Sequence, residues 1–195
     1  MALRYETSDL IRLGVYSAVE GNFIKSGNRN NYRFRFHLNQ IADIKDLLSR
    51  VIGYEVTGRV VASVSSEELY IELKKLGFEK FRADDWNVPI LSAWGQHGKN
   101  EYIRALIDSL GNVDISEEAP YIQLQSVNVN SIKMIRNIFG GNITGPYGRS
   151  PSVYLRWSGK NALDLLDRLD WRFYNLRNQR GAELIRVIRW SDYLL

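Results

Sequence analysis

The residues best suited to chemistry sit in a stretch that carries no acid. From position 21 to 42 the chain holds Lys25, Arg29, Arg33 and Arg35, interleaved with Asn28, Asn30, Asn31, His37 and Asn39, and neither Asp nor Glu. Arg and Lys bind phosphate oxygens, Arg also pairs with a guanine edge, and Asn or Gln pairs with adenine. Later in the chain Gln123, Gln125, Arg149, Tyr154 and Arg156 supply the same kinds of side chain, with Arg59 between the two groups. Together they suit a nucleic acid. Asp114, Glu117 and Glu118 make the start of the second group acidic and weaken its hold on an anion.

Other chemistries find little support. His37 and His97 lie far apart, without metal-ligand spacing. Gly140-Gly141-Asn142 and Gly145-Pro146-Tyr147-Gly148 read as turns, because neither ends in the Lys-Ser/Thr of a phosphate loop. No serine occupies a nucleophile-elbow pattern, and the absence of cysteine excludes disulfides, thiolate metal sites and thiol nucleophiles. The segment 172–190 carries five arginines but reads as a helix with a solvated basic face.

To act together these side chains must share a face. Residues 32–38, YRFRFHL, alternate strictly, so a strand puts Tyr32, Phe34, Phe36 and Leu38 on one side and Arg33, Arg35 and His37 on the other. Before that strand, spacing at Leu10, Leu13 and Ser17 predicts a helix over 8–20 stopped by Gly21. After it, the pattern predicts a helix over 41–52 ended by Gly53, a hairpin over 54–64 turning at Thr57-Gly58, and a helix over 66–76.

The second half repeats this order. IADIKDLLSRVIG at 41–53 aligns with VNSIKMIRNIFGG at 129–141, and VSSEELYIELKKLGF at 64–78 with WSGKNALDLLDRLDW at 157–171. Self-similarity of this kind predicts one pseudo-symmetric α+β domain over 1–195, with an N-terminal half 1–78, a connector 79–99 and a C-terminal half 100–195. Trp86 and Trp94 make the connector too apolar for a free tether.

Composition agrees with a packed, anion-seeking protein. Of 195 residues 45% are hydrophobic, enough for a core, and the net charge is +4 with a pI near 9.3. Arg outnumbers Lys by 18 to 8, which favours planar two-point contacts with phosphate or carboxylate. With neither a secretory signal pattern nor a long apolar run, the reading is a cytoplasmic protein without membrane contact, acting as a monomer.

Two glycine-ended helical segments carry a resemblance to a known family. Ile103-Arg104-Ala105-Leu106-Ile107-Asp108-Ser109-Leu110-Gly111 resembles the nine-residue motif of the LAGLIDADG homing endonucleases at Ala105, Leu106, Ile107, Asp108 and Gly111. Leu13 to Gly21 is similar at Leu13, Gly14, Glu20 and Gly21, and Trp86 with Pro89 looks like the segment preceding a second motif. The resemblance implies αββαββα units whose two antiparallel sheets form saddles over DNA around two central packed helices. Small residues at Gly14, Ser17, Ala18 and Gly21, faced by Ala105, Ser109 and Gly111, would then let the helix backbones approach more closely than the usual ~8–10 Å.

The resemblance also implies a divalent-metal site formed by an acid just before each final Gly. Such carboxylates suit Mg²⁺, a hard cation. Here the first motif keeps Glu20, but the second has Leu110, which cannot bind metal. Asp108 lies two positions earlier, about 200° around a helix, and cannot substitute. Duplex DNA binding needing no cofactor, with impaired double-strand cleavage, is the resulting expectation. The alternatives are a Mg²⁺-dependent nickase or endonuclease using Glu20, an RNA-binding splicing cofactor, and a protein-interaction module.

Overall fold

A computed structural model describes residues 5–19, 22–26, 31–37, 44–53, 55–57, 61–78, 94–116, 119–148 and 150–191, with strands 22–26 and 31–37 known at backbone level. The chain divides into two compact units, Met1–Ala105 and Leu106–Leu195.

In the first unit, α1 (Thr7–Val19) buries every residue from Leu10 to Ala18. A helix buried on every side belongs in an interior, and its one buried charge, Arg12, ion-pairs with Asp9 at 3.8 Å. Its polar Ser17 is accommodated by donating from Oγ to the Leu13 carbonyl at 2.7 Å. At Gly14 a Cβ would run into the Phe78 ring, so the missing side chain makes room for the end of the next helical layer. Strands β1 (Asn22–Ser26), β2 (Asn31–His37) and β3 (Val61–Ser65) form an antiparallel sheet in the order β1-β2-β3, with α2 (Ile44–Ile52) and α3 (Glu67–Lys75) beside α1. Only β3 of the expected 54–64 hairpin is seen among the described residues: 55–57 are not strand, while 54 and 58–60 lie outside the description.

Helix α4 (Gln96–Leu110) begins in the first unit. Its first turn takes in residues 96–99, which the sequence pattern had put in the connector. Trp94, before it, packs on Phe78 at 6.0 Å and edge-on to Tyr102 at 5.7 Å, so the connector's end joins the core; Trp86 lies outside the described residues. A Cβ at Gly98 would stand 3.1 Å from Ile11 Cδ1, which places the start of α4 close against α1.

The second unit runs β4 (Gly111–Ser116), β5 (Ala119–Ser126), α5 (Val129–Phe139), β6 (Asn142–Thr144), β7 (Val153–Ser158), α6 (Lys160–Arg168) and α7 (Leu176–Ser191). Its sheet has the order β4-β5-β7-β6, all antiparallel. The inner face aligns Val113, Ile122 and Trp157 in one row and Leu124 with Leu155 in the next, all buried. Ile132, Ile135 and Phe139 of α5 and Ala162, Leu165 and Leu166 of α6 complete this core. Trp157 donates its indole N–H to the Phe139 carbonyl at 3.0 Å, which removes the cost of burying that polar atom.

The order helix, hairpin, helix, strand, helix returns from α4 onward with β6 added before β7, and the pairing returns in register. Val64 pairs with Phe34 as Trp157 pairs with Ile122, and Ser65 and Ser158 follow them. Buried Ile44, Leu47 and Val51 correspond to buried Ile132, Ile135 and Phe139. Helices α3 and α6 end alike: Phe78 N–H bonds to the Leu73 carbonyl at 3.1 Å and Trp171 N–H to the Leu166 carbonyl at 3.0 Å. Gly77, at φ 90°, fills the left-handed position in the first and Asp170, at φ 53°, in the second. Among the described residues, no helix is long and apolar enough to cross a membrane.

Candidate nucleic-acid interface

Helix α4 passes into β4 with no intervening loop. This needs Gly111, because a Cβ there would meet the Ile107 carbonyl oxygen at 2.8 Å and the Gln123 carbonyl oxygen at 2.9 Å. The last turn of α4 is held from the other side. Asp108, 2% exposed, accepts the Tyr174 N–H at 2.9 Å and the Asn175 N–H at 3.1 Å, one on each carboxylate oxygen. Asn178 bridges the junction, donating to the Ile107 carbonyl at 2.8 Å and accepting the Val113 N–H at 3.1 Å. Asp108 is thus an anchor for the α7 start. Half-buried Leu110 has no side-chain oxygen, and no group of three or more His, Asp or Glu among the described residues is placed to hold a metal ion. Glu20 and Gly21 lie outside the described residues.

In the first sheet, register places Arg35 opposite Asn22 and Ser63, Arg33 opposite Ile24 and Ser65, and His37 opposite Val61. These positions share one side of the sheet. The other side contains Phe23, Phe34 and buried Val64, and Lys25 falls in that row, opposite Tyr32. Register therefore brings Arg33, Arg35 and His37 together and separates Lys25 from them. Arg29, Arg59 and Arg149 lie outside the described residues.

In the second sheet the corresponding row is built around Tyr121, Gln123 and Gln125 on β5. Gln123 lies opposite Asn112 and Arg156, Tyr121 opposite Asp114 and Ser158, and Gln125 opposite Tyr154. Its side chains brace one another. Asn112 Nδ2 donates to the Tyr121 hydroxyl at 3.0 Å, and the Arg156 guanidinium lies 4.5 Å from the Tyr121 ring centroid. Gln125 donates to Ser152 Oγ at 3.0 Å, and Tyr147 packs on Tyr154 at 6.1 Å. Asp114 accepts the neighbouring Ile115 N–H at 2.9 Å, a local surface role.

Counted from the residue after each motif, Asn22:Arg35:Ser63 in one sheet matches Asn112:Gln123:Arg156 in the other. Sequence reading named Gln123, Gln125, Tyr154 and Arg156, which the register puts in this row, and did not name Asn112 and Tyr121, which share it. Both were accessible: Asn follows Gly at 21–22 and 111–112, and Tyr121 continues the alternation of the two glutamines. Asn175, Asn178 and Gly181 carry no periodic signal, because their partners lie more than sixty residues away.

Two units, each an antiparallel sheet with helices beside it, match the fold of the homing endonucleases. Among solved examples, I-DmoI in complex with DNA and Mn has a TM-score of 0.58 and 15% identity, covering 84% of this chain and 96% of that one. An I-DmoI variant on nicked target DNA with Mn gives 0.61 at 15% identity, with 87% and 98% covered. I-SmaMI bound to uncleaved DNA with calcium gives 0.56 at 10% identity, with 98% and 94% covered. No protein-family model and no curated protein matches the sequence.

Proposed function

We propose that this chain is a duplex DNA-binding protein that contacts its target through the polar rows of both sheets and has lost most or all double-strand cleavage. The observation that carries the reading is the pair of register-matched rows, Arg33, Arg35 and His37 in one sheet and Tyr121, Gln123 and Gln125 in the other. They present phosphate-binding and base-edge-reading groups on a fold whose solved relatives I-DmoI and I-SmaMI are held on DNA. Loss of cleavage is supported by Leu110, which stands where the second motif would carry its acid. The matched registers and caps also support descent of both halves from one duplicated unit. The chain acts as a monomer inside the cell, and its cysteine-free composition suits a reducing interior.

A second reading keeps Glu20 as a metal ligand and makes the protein a Mg²⁺-dependent nickase. Supercoiled plasmid incubated with Mg²⁺ separates the two. The first reading expects a salt-sensitive complex and unchanged topology. Conversion to open circle that disappears in Glu20→Gln would replace it with the second. Preference for structured intron RNA over duplex DNA in competition would replace both.

A further inference from the structure

Helix α7 carries two apolar faces, where a helix laid along a sheet edge needs one. Inward, Asn178, Ala182 and Ile185 are buried beside Gly181, against β4. Outward, Leu184, Val187 and Ile188 are exposed, Val187 by 66%, and steps of three or four residues put them on one face. The same steps lead back to exposed Arg180 and Arg177. The outer face is therefore basic in its first half and aliphatic in its second, not the evenly solvated basic surface that the sequence pattern suggests.

Arg177 and Arg180 have no ion-pair partner among the described residues. Neighbouring charges are engaged: Glu183 accepts from Gln179 Nε2 at 2.8 Å, and the Arg186 guanidinium lies 5.3 Å from the Trp171 ring centroid. The face also stands on a fixed base, because Asp108 holds the Tyr174 and Asn175 N–H groups and Asn178 holds the Val113 N–H. A partner docking there meets a surface already ordered.

Each half of the face selects its occupant. A phosphate backbone would answer the arginines and leave three aliphatic side chains without contacts. A lipid surface takes helices whose apolar stripe runs their length, whereas this one occupies only the second half of α7. A second copy packed parallel would set arginine on arginine, and one packed antiparallel across Leu184 would set Arg180 on Ile188 and Arg177 on Ser191. Neither supplies an acid. Carboxylates on a protein segment do, and beside the first half of α7 they also meet the positive end of its dipole.

We propose that the outer face of α7 docks a helical segment of another protein, with acids at one end facing Arg177 and Arg180 and aliphatic side chains at the other covering Leu184, Val187 and Ile188. The surface uses none of the residues in the polar sheet rows, so it does not depend on what those rows bind.

The test is selection by the full chain from displayed random peptides about 18 residues long, enough to span α7 as a helix. Enriched peptides should be acidic, with aliphatic residues at steps of three or four. An enriched peptide, synthesised and followed by fluorescence anisotropy, should bind about tenfold more weakly to Val187→Asp and to Arg180→Glu, and equally well to Met134→Asp on exposed α5. Urea midpoints of these surface variants should match the unaltered chain. Replacing the peptide's acids with lysine should abolish binding to the unaltered chain and restore it to Arg177→Glu/Arg180→Glu. Enrichment without acids, full binding by Val187→Asp, or no restoration by charge reversal overturns the proposal. So does a different occupant: self-association, capture of phosphatidylglycerol vesicles or binding of single-stranded RNA that both Val187→Asp and Arg180→Glu abolish.

Discussion

A methyl group cannot be added at Gly111 without moving backbone, since two carbonyl oxygens lie within 3 Å of where it would stand. The sequence marks this glycine as a helix stop, but the tertiary reason is steric: helix and strand meet there with no loop. Gly111→Ala should lower stability by about 1–3 kcal/mol, measured as the urea midpoint. Asp108 is a similar case. Helical spacing ruled it out as a substitute metal ligand, and its oxygens receive the Tyr174 and Asn175 backbone N–H groups. Asp108→Asn keeps the shape and removes the charge, so a loss of about 1–3 kcal/mol is expected with DNA affinity per folded molecule preserved. Tyr102 adds a pH dependence. Burial raises its phenol well above 10.0, so at alkaline pH the folded state holds a proton that the unfolded state releases. Its contribution to stability is complete below pH 10 and is lost as pH rises above it, which a series of urea titrations from pH 8 to 11 would register.

At the scale of elements, the second unit has a device with no sequence signature. The outer edge of β4 would be an open template for strand pairing, but α7 covers it, and Asn178 takes the Val113 N–H that the ladder leaves unmatched. Gly181 lets the helix backbone settle against the Val113 carbonyl, where any Cβ would overlap the oxygen. Gly181→Val should lift α7 from the edge, speed hydrogen exchange at the Val113 amide and promote self-association. Unchanged exchange there would show that the edge is protected by something else. By contrast α2, α3, α5 and α6 were legible, because each alternates a buried stripe with solvent and ends in a recognisable cap. The weakest expectation was the 54–64 hairpin, where the turn signal at Thr57-Gly58 has a described strand on one side only, at 61–65.

At the scale of the whole molecule, net charge and the identity of residue 110 carry the predictions. With net charge +4 and basic residues gathered in the first half's acid-free stretch, affinity for duplex DNA should fall steeply with salt. Combined Arg33→Ala and Arg35→Ala should flatten that dependence and cost about 1–3 kcal/mol per lost base-edge contact. Leu110→Asp would return an acid to the second motif. With Mg²⁺ and a selected target, a gain of strand cleavage that Glu20→Gln abolishes is the outcome expected from the proposed loss of cleavage. Inactivity of Leu110→Asp on a target it binds as tightly as the unaltered protein would count against that explanation.

The chain's sequence alone determined the alternation of faces, the paired helical motifs and the repeated order of elements, because these depend on neighbours two to four residues apart. Register, the commitment of Asp108 to α7 and the separation of Lys25 from Arg33 and Arg35 were decided only in three dimensions. Each depends on which backbone group stands opposite another across the fold, and residue type along the chain carries no record of that.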